Sequence, residues 1–138
     1  MSKSEGCVFC KIASGEAQAL IIRRNELVTA FLDINPVVPG HTLVIPNIHF
    51  TCMDDAEERY LSALASMGKE IGGLLKDKLG ATGYNLLVAN GRSAQQSVFH
   101  LHFHVVPRRE DDAINLWFHG QRASPDAEAL RGIYEALL

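Results

Sequence analysis

The chain has 138 residues, 47% of them apolar and 21% charged, with 13 basic against 16 acidic side chains and a net charge of −3. That length can bury one core, the composition is that of a folded protein, and the acidic balance lacks the basic footprint of a nucleic-acid binder. No apolar run approaches the roughly 18 residues of a membrane span, and the polar residues 1–6 have no signal-peptide core behind them, so a cytoplasmic protein with no membrane partner is expected.

In chain order, a short helical turn runs from Cys10 through Ile12 and closes at Gly15. Residues 19–23 and 27–32 are apolar enough for two strands, with Arg24-Asn25-Glu26 as the hairpin turn between them. Two prolines and a glycine make residues 35–40 a loop, and the β-branched run 42–46 reads as a buried strand. From Asp54 to Gly80 the period changes: Ala56, Tyr60, Leu64, Met67, Ile71, Leu74, Leu75 and Leu79 form one stripe of an amphipathic helix. Gly72 and Gly73 weaken it by about 1 kcal/mol each relative to alanine, which suggests close approach by another element. Residues 84–89 resume as a strand, a Gly/Ser/Gln loop follows, and 98–106 is a longer strand ending at Pro107. Ser124-Pro125-Asp126 has the order of a helix start, with Ser124 as the cap. Neighbouring strands with one inserted long helix point to an antiparallel α+β layer, in a single domain over residues 1–138.

The chemistry concentrates in His100-Leu101-His102-Phe103-His104-Val105-Val106. On a strand, alternation sends three imidazoles to one face and Leu101, Phe103 and Val105 to the other. Imidazole can serve as acid/base, nucleophile or metal ligand. A three-histidine zinc site is opposed by geometry, because i and i+4 on an extended strand lie about 13 Å apart. At most two of the three can share an ion. Upstream, residues 90–97 form a loop of small and amide side chains, Asn90 among them, suited to seating an anion. Cys7 and Cys10 form a C-x-x-C pair, fit for a redox dithiol or half of a metal site, while Cys52 stands alone and reads as a small packed hydrophobe.

The histidine run resembles the signature of the histidine-triad (HIT) nucleotide hydrolases and transferases. Cys7-Val-Phe-Cys-Lys-Ile12, Phe31-Leu-Asp-Ile-Asn-Pro36, Pro39-Gly-His-Thr-Leu-Val-Ile-Pro46 and His49 resemble the family's other blocks, in the family's order. The likeness covers residues 7–108, and the tail 109–138, with Trp117, lies beyond it. It implies a HIT-like fold: an antiparallel sheet of about five strands, one long helix and a short N-terminal helix, the sheet extended across a homodimer. Further, it implies that His102 is a nucleophile that becomes nucleotidylated at the α-phosphorus, that His104 contacts the phosphate and aids the leaving group, and that His41 assists proton movement. It gives Gln96 and Ser97 to the α-phosphate, Asp33 to the ribose hydroxyls, and Phe9 and Ile34 to the base. Some bacterial relatives carry a structural zinc, Zn2+, at positions matching Cys7, Cys10, His49 and His100. Two departures stand out: Gln95 where many relatives have glycine, and Ala89 where they often have an amide.

The expected activity is a nucleotide hydrolase or transferase, acting on a purine nucleoside phosphoramidate or dinucleoside polyphosphate and releasing the mononucleotide. The competing reading is a zinc-stabilised nucleotide-binding module acting through protein partners. A zinc-dependent hydrolase at the histidine strand is a third. A pure binder has no need of an unhindered nucleophile, which favours the enzyme.

Overall fold

The computed structural model describes residues 5–118 and 120–138, so residues 1–4 of the polar N-terminal stretch lie outside it. Three helices and five strands follow in the order α1 (Val8–Ser14), β1 (Ile21–Arg24), β2 (Val28–Leu32), β3 (Thr42–Pro46), α2 (Glu58–Leu79), β4 (Gly83–Leu87), β5 (Phe103–Arg108) and α3 (Ala127–Leu137). The strands form one sheet in the order β1-β2-β3-β5-β4, every neighbouring pair antiparallel. This is the expected α+β, HIT-like layer.

Alternation along the central strands divides the core in two. Val28, Ala30, Val44, Phe103 and Val105 face α2, where Tyr60, Leu64, Met67, Ile71 and Leu75 supply the matching stripe. Phe31, Leu43 and Ile45 face the other way and pack against Phe9, Ile12 and Ala13 of α1. Strands β2 and β3 are therefore buried on both faces, and apart from Thr29 and Thr42 their residues are apolar rather than alternating.

Several boundaries differ from the sequence expectation. Helix α2 starts at Glu58, not Asp54, because the Asp55 carboxylate accepts from Thr51 N and Cys52 N, each at 3.0 Å, and holds residues Met53–Asp55 in a separate 3₁₀ turn. Strand β5 begins at Phe103 rather than Val98, because Leu101 N donates to Phe50 O at 2.7 Å, outside the ladder. It then continues through Pro107, paired to Tyr84 of β4, where β3 has already ended opposite Val105 and no partner needs the missing N–H. At α3 the cap is Asp126, whose Oδ1 accepts from Ala129 N at 2.9 Å, and not Ser124. Strand β4 stops at Leu87, two residues short of Ala89.

Of the helix glycines, Gly72 sits where β4 approaches: a Cβ there would meet the Tyr84 ring at 2.4 Å. Gly68 faces Leu86 in the same way, at 2.8 Å, whereas Gly73 has nothing within 4 Å. Gly73 therefore serves no close approach, contrary to expectation. Gly72→Ala should destabilise by about 1–3 kcal/mol through overpacking, while Gly73→Ala should gain about 0.5–1 kcal/mol of helix propensity. Paired chemical denaturation curves check both signs.

Candidate active site

A cavity of about 410 Å³ opens on the α1 side of the sheet, with His102, His104, Ser97, Asp33, Ile34 and Phe9 among its walls. Strand pairing explains the placement. His104 lies opposite Leu43 in the β3–β5 register, so both point to the α1 face while Phe103 and Val105 point to α2. His102 precedes the ladder, yet the alternation holds through it, because Leu101 is fully buried in the α2-facing core. Its ring rests edge-on against Phe9, centroids 5.3 Å apart.

Backbone groups fix the hydrogen on each ring. A carbonyl can only accept, so His102 Nδ1, 2.8 Å from His100 O, must carry a hydrogen. The lone pair of neutral His102 is then on Nε2. The Val37 N–H donates to His41 Nδ1 at 3.1 Å, which places the His41 hydrogen on Nε2. That N–H donates in turn to His104 Nδ1 at 2.9 Å, leaving the His104 hydrogen on Nε2. Burial holds all of these rings neutral. His104 is pushed down to about 4 by burial, with His102 and His41 adding to the shift and Asp33 opposing it. Burial likewise lowers His41, against the pull of Asp33, and His102, against its bond to the His100 carbonyl.

Asp33 closes the β2–β3 connection. Its N–H donates to His41 O at 2.9 Å, its Oδ1 accepts from Asn35 N at 2.8 Å, and its Oδ2 lies 3.6 Å from His41 Nε2. Asp33, His41 and His104 are near enough to surround a cation. The tautomers oppose that use, because a metal on His41 Nε2 would force the ring hydrogen onto Nδ1, against the Val37 N–H.

A second cluster joins α1 to the sheet. One ligand atom from each of Cys7, Cys10, His49 and His100 lies within 4.8 Å of all the others. Nδ1 of His100 is 3.4 Å from Cys7 Sγ and 3.5 Å from Cys10 Sγ, and His49 Nδ1 is 3.3 Å from Cys10 Sγ. A tetrahedral zinc with bonds of about 2.3 Å to sulfur and about 2.0 Å to nitrogen spaces the two atom types by about 3.5 Å. The donor set fits the ion. His100 Nε2 donates to Pro46 O at 3.0 Å, which turns the Nδ1 lone pair toward the thiols, as an outer-shell partner of a metal ligand does. Burial pushes His100 down to about 4, so its ring is neutral and available. Among the described residues, none of Cys7, Cys10 and Cys52 is in a disulfide.

Two residues expected at the nucleotide make hydrogen bonds within the protein. Asn90 Oδ1 accepts from Met53 N at 2.8 Å and is not part of the cavity wall. Gln96, buried, spends its amide on Gly91 N at 2.8 Å, Thr51 O at 2.7 Å and Val98 O at 3.0 Å. Both hold the loop that presents Ser97. Gln95 closes the 3₁₀ turn Arg92–Ala94 at φ 68, a left-handed conformation that glycine adopts without strain. Neither Ala89 nor Trp117 lines the cavity. Side-chain patterns gave no sign of the Val37 N–H or of the Pro46 and His100 carbonyls, which are main-chain groups present at nearly every position.

Residues 14–111 match the model of the HIT domain. An uncharacterised HIT-like protein of Methanocaldococcus jannaschii is 46% identical over 106 residues, covering 77% of this chain and 81% of that one. An adenosine 5′-monophosphoramidase of Candida albicans is 33% identical over 141 residues, 99% of this chain and 92% of that one. Among solved structures, a zinc-bound histidine triad family protein from Mycobacterium smegmatis superimposes with a TM-score of 0.79 at 38% identity, covering 98% of this chain and 97% of that one.

Proposed function

The chain belongs to the HIT family, and from that premise we propose that it is a nucleotide hydrolase or transferase that cleaves the α-phosphate bond of a purine nucleoside phosphoramidate or dinucleoside polyphosphate through a nucleotidyl-histidine intermediate. The observation that carries this reading is the bare Nε2 of His102, held by the His100 carbonyl on Nδ1 at the edge of a cavity. A neutral imidazole needs no deprotonation to attack phosphorus near pH 7. Splitting the transfer into two displacements then replaces one hard step with two easier ones.

The walls suit a nucleoside 5′-phosphate. Phe9 and Ile34 offer apolar surface to a purine, and the Asp33 carboxylate retains acceptor capacity for vicinal ribose hydroxyls. Ser97 supplies a hydroxyl to the phosphate, next to His104 with its hydrogen on Nε2. As His102 Nε2 bonds to phosphorus, the ring becomes cationic, and its Nδ1–H tightens on the His100 carbonyl. Water then displaces His102 and releases the mononucleotide.

Zinc belongs to this reading as a structural ion on Cys7, Cys10, His49 and His100, supported by the spacing and the Pro46 bond. A bound zinc would tie α1, and with it Phe9, to the sheet without entering the reaction. The assembly proposed is a homodimer that extends the sheet. Support comes from β4, which is an edge strand and carries half-exposed Leu86 and Leu87, and from the exposed Leu130, Ile133, Tyr134 and Leu137 of α3.

His102→Ala should leave the fold and nucleotide binding intact and reduce turnover by more than a hundredfold, with a phosphorus–nitrogen adduct trapped only on the wild type. Metal analysis of protein purified without chelator should give about one zinc per chain, falling in a Cys10→Ser variant that also melts at lower temperature. Light scattering at micromolar concentration should return twice the chain mass.

A further inference from the structure

His104 faces two opposite demands in a double displacement. A leaving nitrogen needs a proton from its Nε2 in the first step, and the attacking water needs a bare Nε2 to take a proton in the second. Its resting tautomer meets neither demand fully. Neutral His104 carries its hydrogen on Nε2 because its Nδ1 accepts from His41, and His41 donates because Val37 N–H occupies the other ring nitrogen. For His104 to give up the Nε2 hydrogen and stay neutral, its Nδ1 must be protonated. The His41 N–H then points at another N–H and needs a different acceptor. Among the described residues, the carboxylate within 4 Å of His41 Nε2 is Asp33, with Oδ2 at 3.6 Å. The side chain of His41 is 5% exposed and that of Asp33 16%, so both partners of the exchange are mostly buried.

Resting on the reading above, we infer that Asp33 is a positioning residue for proton transfer: it takes over the His41 Nε2–H whenever His104 is protonated on Nδ1. The anchors already on the page permit the motion. Asp33 Oδ1 is fixed by Asn35 N–H and His41 Nδ1 by Val37 N–H, so a small rotation about those bonds moves the hydrogen between acceptors. The titratable groups around His104 are His41, His102 and Asp33, and Asp33 alone among them favours its cationic form.

The sequence of steps balances. The pair takes one proton from solvent on His104 Nδ1 as the anionic phosphoryl group binds, and His41 turns to Asp33. The bond from His102 Nε2 to phosphorus forms while the bond from phosphorus to nitrogen breaks. Its electron pair leaves with the nitrogen, which takes the Nε2 proton of His104. His104 is now neutral with its hydrogen on Nδ1 and a lone pair on Nε2. Water attacks phosphorus, its proton goes to His104 Nε2, and the bond to His102 breaks with the pair returning to Nε2. Loss of the Nδ1 proton to solvent lets His41 swing back.

A role for Asp33 confined to the ribose is separable by choice of substrate. Asp33→Asn keeps the acceptor for Asn35 N–H and should be assayed on a nucleoside phosphoramidate and on the matching p-nitrophenyl ester, whose leaving group needs no proton. Both are made with ribose and with a 2′,3′-dideoxy sugar. The expected result is at least a tenfold fall in kcat on the dideoxy phosphoramidate and less than a twofold change on the dideoxy nitrophenyl ester. Disappearance of the loss on the dideoxy sugar, or equal loss on both leaving groups, overturns the inference. Independently of any variant, histidine ¹⁵N spectra of the wild type with a purine nucleoside monophosphate should show His104 gaining hydrogen on Nδ1 as pH falls, with His41 protonated on Nε2 alone. Protonation of His41 Nδ1 overturns it as well. Failure of the wild type on every substrate would refute the hydrolase reading, while the spectra still decide the exchange of acceptors.

Discussion

Main-chain hydrogen bonds to imidazole rings are the constraint from which the rest of the site follows. One carbonyl puts the hydrogen of His102 on Nδ1, another does the opposite for His100, and one amide sets His41 and through it His104. Each ring is sequestered and neutral, so its lone pair is usable near neutral pH. Identical side chains thereby present different atoms: a lone pair on Nε2 of His102, a lone pair on Nδ1 of His100 turned toward the thiols, and an N–H on Nε2 of His104. Rigid assignment matters because an imidazole with a free choice of tautomer would present the wrong nitrogen part of the time.

The remainder of the fold supplies those main-chain groups at fixed positions. The α2 stripe buries one face of the sheet and locks the β2–β3–β5 register, which sets Leu43 opposite His104. The other face is left for α1, a helix of seven residues, too short to persist alone. Local capping holds it. Cys7 Sγ accepts from Cys10 N at 3.4 Å, Gly15 closes it in the left-handed region, and the Arg24 guanidinium donates to Ala13 O. Cys7, Cys10 and Phe9 share this one short element, so the thiol cluster and the cavity wall are parts of a single rigid piece.

Much of this was legible in the residues. The helical stripe of α2 and the alternation of the histidine run follow from period, and the β1–β2 hairpin from the turn residues between two apolar runs. The convergence of Cys7, Cys10, His49 and His100 was legible only by likeness to a family, since nothing in the spacing of such distant residues dictates it. What escaped was set by side-chain capping and by backbone. Asp55 and Asp126 moved two helix starts by accepting main-chain hydrogens, and the bonds of the Gln96 amide to three backbone groups could not be read from its position. Amide side chains read as donors in a sequence. Whether any donor is left over depends on the tertiary neighbours.

The late start of β5 has a consequence for how this domain can evolve. His100 and His102 lie just before the ladder, where the His100 carbonyl is not claimed by a neighbouring strand and accepts from the His102 ring instead. Two more residues of regular pairing would add backbone bonds to the sheet and remove that acceptor. Thermostability and reactivity therefore pull in opposite directions over this one short stretch, and selection for a stiffer sheet would be expected to act at β1 or β4 and spare the entrance to β5.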